Sequence, residues 1–223
     1  NLVGIHQHIG SQVFRVDSFA RALEVVVRFS EPLGLPELSV GGGLGVAYLE
    51  SESAPSITEW GEMLHQACDS LGVQARVSAE PGRSIAAQAG VTVYSIGTIK
   101  ELPDIRTYMA VDGGFGDNPR PMLYGSGYTA FVPSRVTEAR NAVARIVGKH
   151  CESSDVIVRE ACLPDNLRVG DFLATPVTGA YGYSMASAYN RRPRPPVIFV
   201  SNGESRLVIR GESVEDLMTL DVD

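Results

Sequence analysis

Two hydrophobic periods alternate along the first 90 residues. Short apolar runs at 2–6, 37–40 and 75–79 are typical of strands, and the last of them predicts a buried strand. Between them, apolar residues recur at the three- and four-residue spacing of a helix face. The first stripe is Phe19, Leu23, Val26 and Phe29, and the second is Ile57, Trp60, Leu64, Ala67 or Cys68, and Leu71. This order, strand-helix-strand-helix-strand, predicts parallel strands.

Capping residues mark the ends of both predicted helices. Asp17 or Ser18 is expected to cap the first helix, which Gly34 should terminate. Ser56 and Glu59 have the spacing of a capping box, in which each side chain accepts from the backbone N–H of the other residue. The second helix is therefore expected to begin after Ser56.

The pattern changes near residue 90 to short β-rich runs broken by Gly and Pro. The runs are Val91–Thr98, Thr107–Asp112, Ala144–Val147, Asp155–Val158, Asp171–Thr175, Val197–Val200 and Leu207–Arg210. Asn202-Gly203 between the last two is a hairpin signal, so residues 91–223 are predicted to form a mostly antiparallel β domain.

The two halves together predict an α/β plus β chain. Three parallel strands with open edges make a poor isolated domain. We therefore interpret residues 1–90 as the last βα units of a (β/α)8 TIM-type barrel whose earlier strands precede residue 1. We therefore expect the chain to be a piece of a longer protein.

Net charge, cysteine number and histidine spacing limit the classes of partner, compartment and metal that we expect for this chain. The net charge of −7 argues against a nucleic-acid or anionic membrane surface as the main partner, and no apolar stretch is long enough to span a bilayer. Cys68, Cys151 and Cys162 are odd in number and form no C-x-x-C pair, which favours a reducing cytoplasm. His6 and His8 could chelate zinc, but no third ligand is evident, so no metal is expected.

Polar and glycine residues follow each of the three predicted parallel strands, at the end where α/β folds bind ligands. They include His8 and Ser11, then Gly42 and Gly43, then Glu80, Gly82 and Arg83. Bare glycine backbone, a hydroxyl and a guanidinium suit a phosphate, and a carboxylate could hold a pyridinium nitrogen in its protonated form. The alternatives are a plain glycine turn and an ion pair of Glu80 with Arg83.

The β domain adds a second group of candidates. Arg120 lies between two prolines that would stiffen it for a carboxylate ligand, and Cys151 follows Lys149 and His150, which could depress a thiol pKa. A buried structural cysteine is the alternative for Cys151. Tyr181 lies in a loop of small residues, where it could contact a ring or a phosphate. The alternative for the tyrosines of this loop is packing between domains, which suits Tyr183 better.

These segments together resemble the fold-type III pyridoxal-phosphate decarboxylases. The resemblance rests on 6–12, 41–43, 80–83, 151–152 and 179–181, and it covers the whole chain in order. Residues 111–114, 118–121 and 150–153 are most similar to the members that convert meso-2,6-diaminopimelate to L-lysine, at the end of bacterial lysine synthesis. The chain corresponds to about the C-terminal half of that architecture.

The resemblance implies a lyase with pyridoxal 5'-phosphate as cofactor and an amino acid as substrate, working as a homodimer with its active site at the interface. Cys151 and His8 would be catalytic, Cys151 as the acid that protonates the substrate carbanion and His8 by stacking on the cofactor ring. The cofactor would be bound by His8, Ser11, Gly42, Gly43, Glu80, Gly82, Arg83 and Tyr181. The substrate would be bound by Arg83, Arg120, Tyr124, Glu152 and Tyr181.

One part of that machinery has no counterpart here. The family's Schiff-base lysine ends an early barrel strand, whereas Lys100 and Lys149 do not end barrel strands. We therefore expect residues 1–223 alone to be inactive. The alternatives are a decarboxylase of the same fold acting on ornithine, arginine or carboxynorspermidine, a non-catalytic relative, and a barrel enzyme for another phosphate ester.

Overall fold

The computed structural model describes residues 1–222 and divides the chain into two compact units, Asn1–Gly90 and the residues from Val91 onward. Among the residues so described, none of the helices combines the length and the apolarity that a bilayer crossing requires.

The first unit alternates strands and helices. Its elements are β1 (Gly4–His6), α1 (Val16–Ser30), β2 (Glu37–Ser39), α2 (Ile57–Ser70), β3 (Arg76–Ser78) and α3 (Arg83–Ala86), with 3-10 turns at Glu31–Leu33 and Ala87–Ala89. The sheet order is β1-β2-β3, and both pairings are parallel. The predicted alternation and strand direction are therefore confirmed.

The two long helices begin differently. Ser56 caps α2, since its hydroxyl accepts from the N–H of Glu59 while the Glu59 carboxylate accepts from the N–H of Ser56, which confirms the capping box. The prediction that Asp17 or Ser18 caps α1 is wrong, because both lie inside the helix and its cap position is Arg15, with extended backbone and no side-chain cap bond. Asp17 instead lies in the first turn, where its charge complements the helix dipole.

The core of this unit lies where α1 and α2 pack on the sheet. Its buried members are Phe19, Leu23, Val26, Leu38, Val40, Leu44, Trp60 and Leu64. The rings of Phe19 and Trp60 meet edge to face at 5.5 Å between centroids. Two predicted stripe members are wrong: Phe29 is 69% exposed because it lies off the face of the stripe in the last turn, and Ile57 is 43% exposed at the first residue of α2.

Strands β1 and β3 are the two edge strands of this sheet in the described chain, and the exposure of β3 was not predicted. Strand β3 pairs with β2 alone, and all three of its residues are exposed. The prediction of a buried strand at 75–79 is therefore wrong for the unit as it stands, because an apolar composition does not reveal how many neighbours a strand has.

The second unit is built mainly of strands. Its elements are β4 (Val91–Leu102), β5 (Arg106–Val111), α4 (Arg120–Tyr124), β6 (Ala142–Val147), β7 (Val156–Leu163), β8 (Phe172–Pro176), β9 (Val197–Ser201), β10 (Glu204–Ile209) and α5 (Val214–Leu217). Short 3-10 turns lie at Pro133–Arg135, Tyr183–Met185 and Tyr189–Arg191. One sheet has the order β7-β6-β5-β4-β8 and the other is the β9-β10 hairpin. Only β5 and β6 pair in parallel among these described strands, so the mostly antiparallel prediction is confirmed.

The β9–β10 turn is shorter than the gap between the two predicted strand runs, Val197–Val200 and Leu207–Arg210. Ser201 pairs with Glu204, which leaves only Asn202 and Gly203 in the loop, with φ of 51° and 80°. Two successive positive φ values are those of a type I′ turn, whose twist matches that of the strands. The Asn-Gly signal thus located the turn correctly.

Truncating Leu23 tests the core of the first unit. Leu23 has no exposed surface, so Leu23→Ala should lower the free energy of unfolding by about 3 kcal/mol through lost burial and the cavity left behind. Leu33→Ala, at a position 49% exposed, is the matched control and should cost less than about 1 kcal/mol. Urea unfolding followed by circular dichroism measures both, and equal losses would contradict this assignment of the core.

Candidate functional site

The C-terminal ends of β1, β2 and β3 form one edge because the strands are parallel and in register. Their last residues, His6, Ser39 and Ser78, are register partners. The pairing extends past the strands. The N–H of Gln7, after β1, donates to the Ser39 carbonyl at 3.0 Å. After β2 and β3, the N–H of Val40 donates to the Ser78 carbonyl at 2.9 Å and the N–H of Glu80 donates to the Gly41 carbonyl at 2.8 Å. The three following loops are therefore tied together by their backbones.

Glycines allow these loops to meet. A Cβ atom at Gly41, Gly42 or Gly43 would lie 2.1 Å from the carbonyl oxygen of Gln7, Glu80 or Gly10, respectively. Such a contact with backbone oxygen leaves no room for any side chain. Gly43 also has a φ of +103°, which residues with a Cβ rarely adopt. The glycine run is thus a close junction of three strand-end loops rather than a plain turn.

The Glu80 carboxylate lies across the ends of β1 and β2. It accepts hydrogen bonds from Ser39 Oγ at 2.9 Å and contacts His6 Nε2 at 3.1 Å, although about half of its side chain is exposed. The Ser39 bond, followed by the His6 bond, lowers the pKa of Glu80 below its usual range. Glu80 therefore remains an anion at neutral pH. These partners replace the ion pair with Arg83 that the sequence left open.

His8 and Arg83 follow β1 and β3, respectively, at the same edge of the sheet. His8 Nδ1 accepts from the N–H of Gly42 at 3.3 Å, which fixes the ring beside the glycine junction. Arg83 is buried and donates to Ser11 Oγ at 2.8 Å and to Tyr48 Oη at 2.6 Å. A Cβ at Gly82 would meet no other protein atom within 4 Å, so this loop borders open space.

The described residues thus bring seven predicted candidates of the first unit to one edge, namely His8, Ser11, Gly42, Gly43, Glu80, Gly82 and Arg83. Their chemistry is that of two subsites: an anion-binding group made of a guanidinium, a hydroxyl and glycine backbone, and an anionic acceptor held ionised. A phosphorylated heteroaromatic cation such as protonated pyridoxal phosphate matches both, so these residues fit that cofactor. Ser39 and Tyr48 were missed in the sequence because neither lies in a recognisable motif.

A buried carboxylate organises the loops of the second unit. Asp155 accepts from the N–H of Phe115 at 2.7 Å and from the N–H of His150 at 2.9 Å. His150 Nε2 in turn accepts from the N–H of Gly116 at 3.3 Å, and its ring packs on Phe115 with 4.5 Å between centroids. The loop at 113–118 is therefore fixed to the loop that carries Cys151.

Cys151 and Glu152 follow this anchor and are both exposed. Glu152 donates its backbone N–H to the His150 carbonyl at 2.8 Å, and its side chain accepts from the hydroxyl of Tyr189. The exposure of Cys151 contradicts the buried structural alternative, and its role as a reactive thiol stays a prediction. Tyr189 was missed because its partner lies 37 residues away in the chain.

The remaining substrate candidates lie on other elements. Arg120 begins α4, is buried, and donates to Ser126 Oγ at 3.1 Å, with its guanidinium 5.4 Å from the centre of the Tyr124 ring. Tyr181 lies after β8 with a φ of +58°, as does Val177 with a φ of +62°. These two are non-glycine residues in the left-handed region, a strain that clusters at functional sites.

Metal chemistry receives no support from side-chain placement. Within residues 1–222, no group of three or more His, Cys, Asp and Glu side chains is arranged to hold an ion. His6, which the sequence left open as half of a zinc pair with His8, bonds Glu80 instead.

Replacing Asp155 tests the anchor of the cysteine loop. Asp155→Asn should lower the free energy of unfolding by about 2 kcal/mol, because an amide nitrogen cannot accept one of the two N–H bonds and leaves a buried donor unpaired. Asp165→Asn is the matched control, since Asp165 is exposed and its carboxylate accepts a surface hydrogen bond from Asn141 Nδ2 at 3.3 Å, whereas the bond from Arg135 goes to its backbone carbonyl and is not changed by the substitution. Thermal unfolding measures both, and an unchanged midpoint for Asp155→Asn would refute the anchoring role.

Comparison with known proteins gives a consistent family. A family profile described as pyridoxal-dependent decarboxylase, C-terminal sheet domain, matches residues 15–179. Diaminopimelate decarboxylase of Corynebacterium efficiens is 44% identical over 99% of this chain and 51% of its own length. The crystal structure of diaminopimelate decarboxylase from Helicobacter pylori complexed with L-lysine superposes with a TM-score of 0.86 at 32% identity, over 97% of this chain and 53% of that one.

A lysine/ornithine decarboxylase from Vibrio vulnificus, complexed with putrescine, is less similar, with a TM-score of 0.71 and 26% identity over 84% of this chain and 52% of that one. The chain thus spans about half the length of the relatives it matches. Because the family profile covers well over half of the sequence, the chain belongs to the pyridoxal-dependent decarboxylase family.

Proposed function

We propose that the chain is the C-terminal half of a diaminopimelate decarboxylase, which removes CO₂ from meso-2,6-diaminopimelate to give L-lysine. The observation that carries the proposal is that the C-terminal edge of three parallel strands carries both the ionised Glu80 and the Ser11–Arg83 anion-binding group. The relatives' names support the reaction, and the greater similarity to diaminopimelate decarboxylases than to the lysine/ornithine enzyme supports the substrate.

The first unit would hold the cofactor. Ser11, Gly42, Gly43, Gly82 and Arg83 would bind the phosphate, His8 would stack on the ring, and Glu80 would accept a hydrogen bond from the ring nitrogen. When bound, pyridoxal phosphate supplies an electron sink for the charge that develops as CO₂ leaves. A carboxylate with a lowered pKa holds the proton on that nitrogen, because transfer of the proton to Glu80 is unfavourable.

The second unit would hold the substrate and supply a proton. Arg120 would bind the distal carboxylate, Glu152 the distal ammonium, and Tyr124 and Tyr181 would line the site. Cys151 would donate its proton to the α-carbon after loss of CO₂. A guanidinium and a carboxylate are the complement of a zwitterionic amino-acid end, which diamine precursors such as ornithine lack at that position.

The proposal also includes the complete barrel, the dimer and the cellular location. The three parallel strands would be the last βα units of a (β/α)8 barrel, whose ligand site lies at the C-terminal edge. Two copies would pair so that Cys151 and Glu152 of one protomer act at the cofactor of its partner. The free state of Cys68, Cys151 and Cys162 supports a reducing cytoplasm as the location.

The reaction is tested in a polypeptide that has the full length of the relatives and carries these residues. We expect it to bind pyridoxal phosphate and to release CO₂ and L-lysine from meso-diaminopimelate, with ornithine and arginine much poorer substrates. Glu80→Gln should keep the cofactor and lower kcat roughly 100-fold, the typical cost of losing one group that stabilises developing charge. Glu101→Gln, an exposed residue of β4, is the control. Preference for ornithine would instead favour the rival decarboxylase.

Mixing two strongly impaired variants tests the shared active site. Glu80→Gln damages the cofactor side and Cys151→Ala the acid side, so each homodimer should keep at most a few per cent of wild-type activity. A mixed dimer places both changes in one site and leaves the other intact, which predicts recovery to roughly 25% of wild-type activity after equimolar random exchange of subunits. Activity is measured after reversible dissociation and reassociation. No recovery would mean that each protomer supplies its own acid.

A further inference from the structure

Tyr189 lies outside every sequence motif, yet its hydroxyl donates a short hydrogen bond to Glu152 Oε1. The bond raises the pKa of Tyr189 above its ordinary value, so the phenol stays protonated and remains the donor. It uses one of the two carboxylate oxygens. The second oxygen can then accept from an ammonium group of a ligand.

The Tyr189 ring is itself fixed by its neighbours. It meets Phe115 edge to face at 4.7 Å and His150 at 5.6 Å between centroids. The preceding backbone is tied to the same loop, because the N–H of Ser187 donates to the Gly116 carbonyl at 2.9 Å. The hydroxyl therefore projects from a rigid aromatic cluster made of Phe115, His150 and Tyr189.

Glu152 needs such a partner because only its backbone is otherwise fixed. Its N–H donates to the His150 carbonyl at 2.8 Å, and its own carbonyl accepts from the N–H of Asp155 at 3.1 Å. The side chain is exposed, and an exposed glutamate samples many rotamers whose loss on ligand binding costs about 1–2 kcal/mol. A bond to an immobile phenol selects one arrangement before the ligand arrives.

We infer that Tyr189 is a positioning residue that holds the Glu152 carboxylate in place to receive the distal ammonium of the substrate, and so contributes to substrate selectivity. The inference rests on the proposed function, because it takes Glu152 as the ammonium acceptor. Tyr189 acts through Glu152, and it supplies neither a proton nor a bond to the reacting carbon.

The test is a double-mutant cycle in the full-length polypeptide, with Tyr189→Phe, Glu152→Gln and the double variant. Tyr189→Phe keeps the ring packing and removes only the hydroxyl. We expect its KM for meso-diaminopimelate to rise about tenfold with little change in kcat, as for loss of a hydrogen bond to a charged group. The Kd of L-lysine, which keeps the distal amino-acid end, should rise by a similar factor in calorimetry.

The cycle distinguishes positioning from a general structural role. In the Glu152→Gln background, Tyr189→Phe should change KM less than about twofold, because the charged partner is already gone. Tyr183→Phe is the matched control, since its ring packs against Arg194 in the same unit, and it should leave KM unchanged. Circular dichroism verifies that the variants are folded.

Three results would overturn the inference. An unchanged KM and lysine Kd in Tyr189→Phe, with active wild-type protein, would remove the positioning role and leave the proposed function intact. Equal Tyr189→Phe effects in both backgrounds would mean that the hydroxyl does not act through Glu152. A wild-type protein that binds pyridoxal phosphate without acting on diaminopimelate would overturn the proposed substrate and this inference together.

Discussion

The close approach of backbone to backbone at Gly41, Gly42 and Gly43 is the constraint on which the first unit depends. Each glycine lies against a carbonyl oxygen of a neighbouring strand-end loop, at a distance that no side chain would tolerate. This junction brings the loops after β1, β2 and β3 together, and with them His8, Glu80 and the Ser11–Arg83 pair. The convergence therefore places a carboxylate and an anion-binding group on one edge of the sheet.

In the second unit, the loops are held together by a different interaction. Here a buried carboxylate, Asp155, accepts N–H groups from two loops and fixes the segment that carries Cys151 and Glu152. Glycines again make room, since a Cβ at Gly148 would lie 2.1 Å from the Asp155 carboxylate. In each unit, the loops that carry the exposed candidate side chains are thus fixed by hydrogen bonds to their backbone N–H groups.

Local signals in the sequence located much of this structure. The Ser56–Glu59 capping box, the Asn202-Gly203 turn and the strand-helix alternation are short-range patterns, and each is set by bonds between residues near in the chain. Contacts between residues far apart in the chain could not be predicted from such local patterns. The exposure of β3 depends on its number of neighbours, and the partners of Glu80 and Glu152 come from 41 and 37 residues away. The sequence pointed to the candidate site side chains but not to the residues that contact and orient them.

The left-handed backbone at Val177 and Tyr181 has a further consequence. A β-branched residue at positive φ is disfavoured by roughly 1–2 kcal/mol, so the folded state loses stability by keeping Val177 in this conformation. Glycine would relieve that strain but would also let the segment after β8 adopt many more conformations. The loop thus loses some thermodynamic stability but keeps one defined backbone path. A tyrosine rather than a glycine at position 181 has the same effect.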